Sequence, residues 1–216
     1  MPHLDENKPK MNMPAMQPNH PMTKRQNPQT VKGSGISLDH DIRMEMAYQL
    51  DKHNCALHVC LHQYNKHHWM SEGAEGFLSL HHLLEEHIEK TIEHIDKIGE
   101  RIARLGGIPT AHPVTQHEVS YLKCEAEGRF TMRDFLRNDL EHEMKLQQEI
   151  RNQIKRAHDL CDFGTVEALE EVLLDREDLA YHLYSVLEDD TLVRGIAHVL
   201  DNQQGNRKAT ETSPLQ

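Results

Sequence analysis

The residues with the most chemical promise form a single stripe: His81, Glu85, Asp96 and Glu100. Imidazole nitrogens and carboxylate oxygens together make a donor set for ferrous iron and related divalent cations. His81/Glu85 and Asp96/Glu100 are each spaced i,i+4, so on a helix the members of a pair point the same way and can share a cation. Fifteen residues separate His81 from Asp96, about 22 Å along a helix axis. Ligand bonds are roughly 2 Å long, so one ion cannot touch both pairs of one chain. A site built from all four residues needs two such helices side by side and antiparallel. A two-fold dimer supplies that arrangement and makes two equivalent sites. The competing reading is the solvated edge of an amphipathic helix, which needs no metal.

The stripe requires a helix. Phe77, Leu80, Leu84, Ile88, Ile92, Ile95, Ile98, Ile102 and Leu105 recur in steps of three and four and predict one buried face from Phe77 to Leu105. Gly106-Gly107, with Pro109 soon after, gives a stop signal. An earlier helix is expected from about Ser37, with Ile42, Met46, Leu50, Leu57, Leu61 and Tyr64 leading to His67, His68 and Trp69. The turn Ser71 to Gly76 separates the two. A connection with Pro113, His117, Tyr121 and Cys124 then has the length of a crossover, with room for one short helix. Thr131-Met132-Arg133-Asp134 opens a third helix to about Leu160, carrying Phe135, Leu140, Met144, Ile150 and Ile154. A fourth is expected after Phe163-Gly164, capped by Thr165, with Leu169, Leu173, Leu179, Leu183 and Val186 inward. The expected class is all-α: a four-helix bundle over residues 37–200 with a long crossover between its second and third helices and a short helix at 190–200. Residues 1–36 and 201–216 read as flexible tails.

Composition narrows the function. The 216 residues include 18 His and carry a net charge of −11. The first 36 hold six Pro, five Met and a charge of +3, leaving −14 on the remainder. Such a body repels phosphate and argues against nucleic acid as a general partner. His3, His20 and the methionines of the tail offer a soft-metal reading beside the plain flexible one. No apolar run approaches a membrane span, and no signal-peptide core precedes the bundle. Cys55, Cys60, Cys124 and Cys161 lack C-x-x-C pairing, as expected of reduced thiols in a cytoplasmic protein. An intrachain di-iron centre needs Glu-x-x-His motifs on two helices. No His in the chain has Glu three residues before it, Asp139-x-x-His142 being the nearest approach.

Several motifs together resemble the Dps family, the dodecameric mini-ferritins of bacteria, over residues 42–188. They are His68-Trp69, Glu72-Gly73, Phe77, Leu80-His81, and Ile95-Asp96-Lys97-Ile98-Gly99-Glu100-Arg101 running into Leu105-Gly106-Gly107-Ile108-Pro109. The resemblance implies a ferritin-like bundle with ferroxidase sites between two-fold-related subunits. His68 and His81 would come from one chain and Asp96 and Glu100 from its partner. Glu85 falls at an acidic second-site position and Trp69 at an aromatic beside the iron. The implied activity is Fe(II) oxidation by hydrogen peroxide, with Fe(III) mineral stored in a hollow shell as protection against oxidative stress. The loop between Trp69 and His81 is one residue longer than the usual pattern, so His67 competes with His68 for the ligand role. Asp96 stands where some cyanobacterial relatives carry His, which favours iron with zinc as a substitute. Asp162, Glu167 and Glu171 match the family's three-fold pore region, although an acidic helix N-terminus also accounts for them. Family members often bind DNA through Lys-rich tails; here twelve copies would total about −130, a strong repulsion toward phosphate. A nucleoid protein and a zinc buffer without turnover are the rival readings.

Overall fold

The computed structural model describes residues 22–73 and 76–188, and every structural statement below concerns these. The short helix expected at 190–200, the C-terminal tail, His3 and His20 lie outside them. Five helices and no strand occur among the described residues: α1 (His40–Met70), α2 (Phe77–Arg104), α3 (Pro113–Val119), α4 (Met132–Asp159) and α5 (Phe163–Leu187). None is long and apolar enough to cross a membrane.

Side-chain pairings give the helix directions. His68 stacks on His81, Asn54 donates to the Ile95 carbonyl and Arg43 to that of Leu105, so α1 and α2 run antiparallel. Gln63–Asp139 and Gln153–Met46 set α1 antiparallel to α4. Arg133–Leu187 and Gln147–Arg176 do the same for α4 and α5. Helices α2 and α4 therefore point the same way. Their connection must travel back along the bundle, and the expected short helix within it is α3.

The caps follow local chemistry. Thr131 caps α4 as its sequence announces, accepting from Asp134 N at 3.2 Å. Helix α1 begins at His40 with Asp39 at the cap position, later than the Ser37 start expected. Thr165, expected to cap α5, is instead the residue capped: Asp162 accepts from its backbone N–H at 3.2 Å and its hydroxyl at 2.5 Å. Arg101 holds the same carboxylate from α2, at 2.5 Å. An Asp three residues ahead, already anchored, is the stronger cap.

The expected apolar face of α2 holds except at Phe77 and Ile92, with Leu80, Ile88 and Ile95 partly buried against the core. Leu84, Ile98 and Ile102 are buried, but Ile92 is 52% exposed and Phe77 39%. His87, Thr91 and His94 occupy the middle of the buried face instead. The cause lies on α5, where Arg176 is fully buried. Its guanidinium donates to Glu143 Oε1 (2.8 Å), Thr91 Oγ1 (3.0 Å) and His94 Nδ1 (2.9 Å). Tyr64 OH donates to the same Glu143 oxygen. Residues from α1, α2, α4 and α5 thus meet at one polar layer, with apolar packing on both sides. On α4 and α5, Met144 and Val186, expected inward, are exposed.

Part of the expected N-terminal tail lies on the bundle. Lys32 N and Gln26 Nε2 both donate to the Gly106 carbonyl, at 3.0 and 2.9 Å, and Arg43 reaches the Lys32 carbonyl at 2.7 Å. Gly106 has φ +91°, and a Cβ there would stand 2.4 Å from the Lys32 carbonyl oxygen. Replacing Gly106 with Ala should cost about 1–3 kcal/mol and speed tryptic cleavage after Lys32. Unfolding curves and a digestion time course together check this; no change in either would refute the strap.

Burial also keeps several rings neutral. His94 Nδ1 accepts from Arg176, so its proton sits on Nε2 and is donated to Asp175 Oδ2 at 2.9 Å. Loss of water, then the neighbouring guanidinium, pulls His94 down to about 4 and His87 to about 3; burial takes His53 to about 4. The unfolded chain takes up these protons near pH 6.5 and the folded chain does not. Stability from these rings is therefore complete above pH 6.5 and lost as pH falls toward 4. Melting temperature should be flat from pH 7 to 8 and fall steadily below 6; a flat profile down to pH 4.5 would contradict the assignment.

Candidate metal-binding site

His68 is the last ring of α1 to face α2. Its neighbour His67 lies about 100° around the helix and faces α4. The two rings therefore have different surroundings. His67 is fully buried and stacks on Phe135 with ring centres 4.1 Å apart. Its Nδ1 is 2.7 Å from Asp139 Oδ2. Its Nε2 is 3.1 Å from Glu125 Oε2, close enough for attraction but off the line of a hydrogen bond. His67 thus ties α1 to α4 and to the crossover.

His68 instead stacks on His81 of α2, ring centres 3.8 Å apart and planes 28° from parallel. Burial, then the adjacent His81, lowers its pKa and favours the neutral ring. Its Nε2 is buried with no hydrogen-bond partner. The turn between the helices completes the arrangement. Ser71 Oγ spends its one proton on the His68 carbonyl (2.9 Å), so at 3.2 Å it accepts from His81 Nδ1. A hydroxyl has one proton to give; the proton of a neutral His81 is therefore on Nδ1, and its Nε2 lone pair is free for a cation. Ser71 was absent from the expected site. A serine closing a helix between two His-bearing segments was the available signal.

The acidic half lies elsewhere on α2. Asp96 is exposed and its carboxylate has no hydrogen bond or ion pair within the described chain. Glu100 is exposed and pairs with Arg104 one turn on. Glu85 is exposed beside His82, 3.4 Å from its Nδ1. Among the described residues no three His, Cys, Asp or Glu side chains converge as a cation cage. One chain thus brings His68 to His81 and leaves Asp96 and Glu100 at the far end of α2. Trp69, beside the histidine pair in sequence, is 73% exposed.

Of the expected pore residues, Asp162 must be corrected. It is 2% exposed and its carboxylate is used by Thr165 and Arg101, so it caps a helix rather than facing a channel. Glu167 and Glu171 are exposed, Glu171 paired with Lys97.

The two rings at the end of the α1–α2 hairpin assign separate tasks that stability measurements can tell apart. His67→Ala should lower the unfolding free energy by about 3–5 kcal/mol, since it leaves a buried carboxylate without its closest partner. His68→Ala should change it by about 1 kcal/mol. Urea denaturation measures both, and the reverse order would overturn the division.

Comparison with known proteins places this fold. Residues 47–193 match a family described as a ferritin-like domain. The chain is 36% identical over 164 residues to a DNA protection during starvation protein of Halobacterium salinarum, covering 76% of this chain and 90% of that one. It is 37% identical over 140 residues to a nutrient stress-induced DNA-binding protein of Nostoc, covering 65% and 76%. The crystal structure of an archaeal Dps homologue from Halobacterium salinarum superposes with a TM-score of 0.76 at 34% identity, over 79% of this chain and 95% of that one. DpsC from Streptomyces coelicolor also gives 0.76, at 29% identity over 79% and 99%.

Proposed function

Because the chain belongs to the Dps family of ferritin-like proteins, whose function is of the iron-storage type, we propose that it oxidises Fe(II) at sites shared by two-fold-related copies and stores Fe(III) mineral within a dodecameric shell. The observation that carries the proposal is the stacked His68–His81 pair: Nε2 of His68 is buried without a partner, and Ser71 orients the His81 ring. Asp96, with its unpaired carboxylate, supplies the complementary half from a second copy, joined by Glu100. Ile92 supports the same arrangement. It is an exposed apolar residue on the stripe between Glu85 and Asp96, near the point where two antiparallel copies of α2 would cross. A self-complementary contact buries such a residue in both partners.

The ligands suit the chemistry. Each of two Fe(II) ions gives one electron; hydrogen peroxide takes both with two protons and leaves as two waters. Neutral imidazoles accept the ferrous ion, and the carboxylates counter the extra charge of Fe(III). Glu85 adds a second acidic ligand, and Trp69 is an oxidisable ring at the site's edge. Glu167, with Glu171, would gather cations at a three-fold channel. A DNA-associated role is the second reading, favoured by the names of the two relatives and opposed by the acidic body.

Native mass and Fe(II) oxidation with hydrogen peroxide, measured on the wild type and on His81→Ala/Asp96→Ala, test the proposal. The wild type should be a large oligomer, and the double variant should oxidise iron at least tenfold more slowly, since even outer partners of metal ligands are worth about 10–100-fold. A monomeric wild type or full activity in the double variant would refute it. Tight Zn(II) binding with no oxidation would favour the buffer reading.

A further inference from the structure

Helix α1 carries a second pair of imidazoles away from the hairpin end. His58 and His62 stand one turn apart within α1 and form the one His-x-x-x-His in the whole sequence. At i,i+4 their Cβ atoms are about 5–6 Å apart on one face, a span across which two rings reach one cation with bonds of roughly 2 Å. His62 is exposed and His58 half-buried, and neither ring is engaged in a hydrogen bond or ion pair within the described chain. Burial, then the proximity of His62, lowers the pKa of His58, so its lone pair is available at neutral pH.

The pair is separate from the iron-type site. His62 and His68 are six residues apart, about 9 Å along the axis and a third of a turn around it. The donor sets also differ. One turn to either side of the pair α1 offers Asn54, Cys55, Asn65 and Lys66, with no carboxylate; Lys66 itself is occupied by Glu125 at 2.5 Å. A pair of nitrogens without oxygen ligands suits Zn(II), Ni(II) or Cu(II) and does little to stabilise Fe(III). We propose that His58 and His62 form a surface site for one nitrogen-preferring divalent cation, with water completing its coordination. The chain would then hold such a cation without yielding its mixed His/carboxylate ligands.

Titration with Zn(II) at pH 7.5, followed by calorimetry on the assembled protein, tests this. The measurement is made in the His81→Ala/Asp96→Ala background, so that failure of the iron proposal and failure of this one are distinguishable. Adding His58→Gln and His62→Gln should remove one equivalent of bound Zn(II) per chain with helix content unchanged. His62→Gln alone, at an exposed ring where folding is not at stake, should weaken that equivalent at least tenfold, since ligand loss exceeds the roughly 10–100-fold seen for outer partners. Binding should also fall away below about pH 6, where imidazoles take up protons. The same Zn(II) count and affinity with and without the two histidines would overturn the proposal, as would a background protein that binds no Zn(II).

Discussion

The contact between Arg176 and Glu143 constrains the rest of the bundle. Both side chains are fully buried, and two charges withdrawn from water persist only when geometry and further hydrogen bonds offset their desolvation. The structure supplies those bonds from every main helix: Tyr64 on α1, Thr91 and His94 on α2, and Gln147 on α4 to the Arg176 carbonyl. A layer bonded to every main helix fixes the rotation of each about its axis, even though Glu143 Oε2 and both ring nitrogens of His87 are buried without a hydrogen-bond partner. Leu84 and Ile98 then flank it inside, while Ile92, on another side of α2, is turned outward. The exposed stripe of Glu85, Ile92 and Asp96 is thus a consequence of what the interior polar layer demands.

The same layer accounts for the bundle's own centre. A guanidinium sits among the inward polar groups and supplies the positive charge locally, with Glu143 as its counter-ion. The absence of Glu-x-x-His from the sequence is the outward sign of this arrangement.

Much of this was legible in the sequence, and the reasons differ by residue. Helix α4 could be placed almost to the residue because Thr131 announces its cap and the polar crossover before it lacks periodicity. The pairing of His68 with His81 comes from the motifs shared with the Dps family, and the short turn between α1 and α2 is consistent with it. The outward turn of Ile92 could not be read, since periodicity gives every isoleucine on a stripe equal weight. Only Arg176, more than 80 positions away, shows that His87, Thr91 and His94 take the inside. Asp162 looked like a surface carboxylate for a similar reason; its partner Arg101 lies on another helix. The orientation of His81 depended on a hydroxyl whose type is common and whose role is visible only in three dimensions.

That hydroxyl joins two properties usually treated apart. Ser71 follows the last residue of α1, and its side chain bonds the terminal carbonyl of His68 as well as the His81 ring. Fraying of the final helical turn would therefore remove the acceptor that fixes the ring's proton, and the imidazole could rotate or change tautomer. The order of a helix end and the orientation of the His81 ring become one quantity here. Mild heating should free the His81 ring while the bundle interior, held by its buried charges, is still intact.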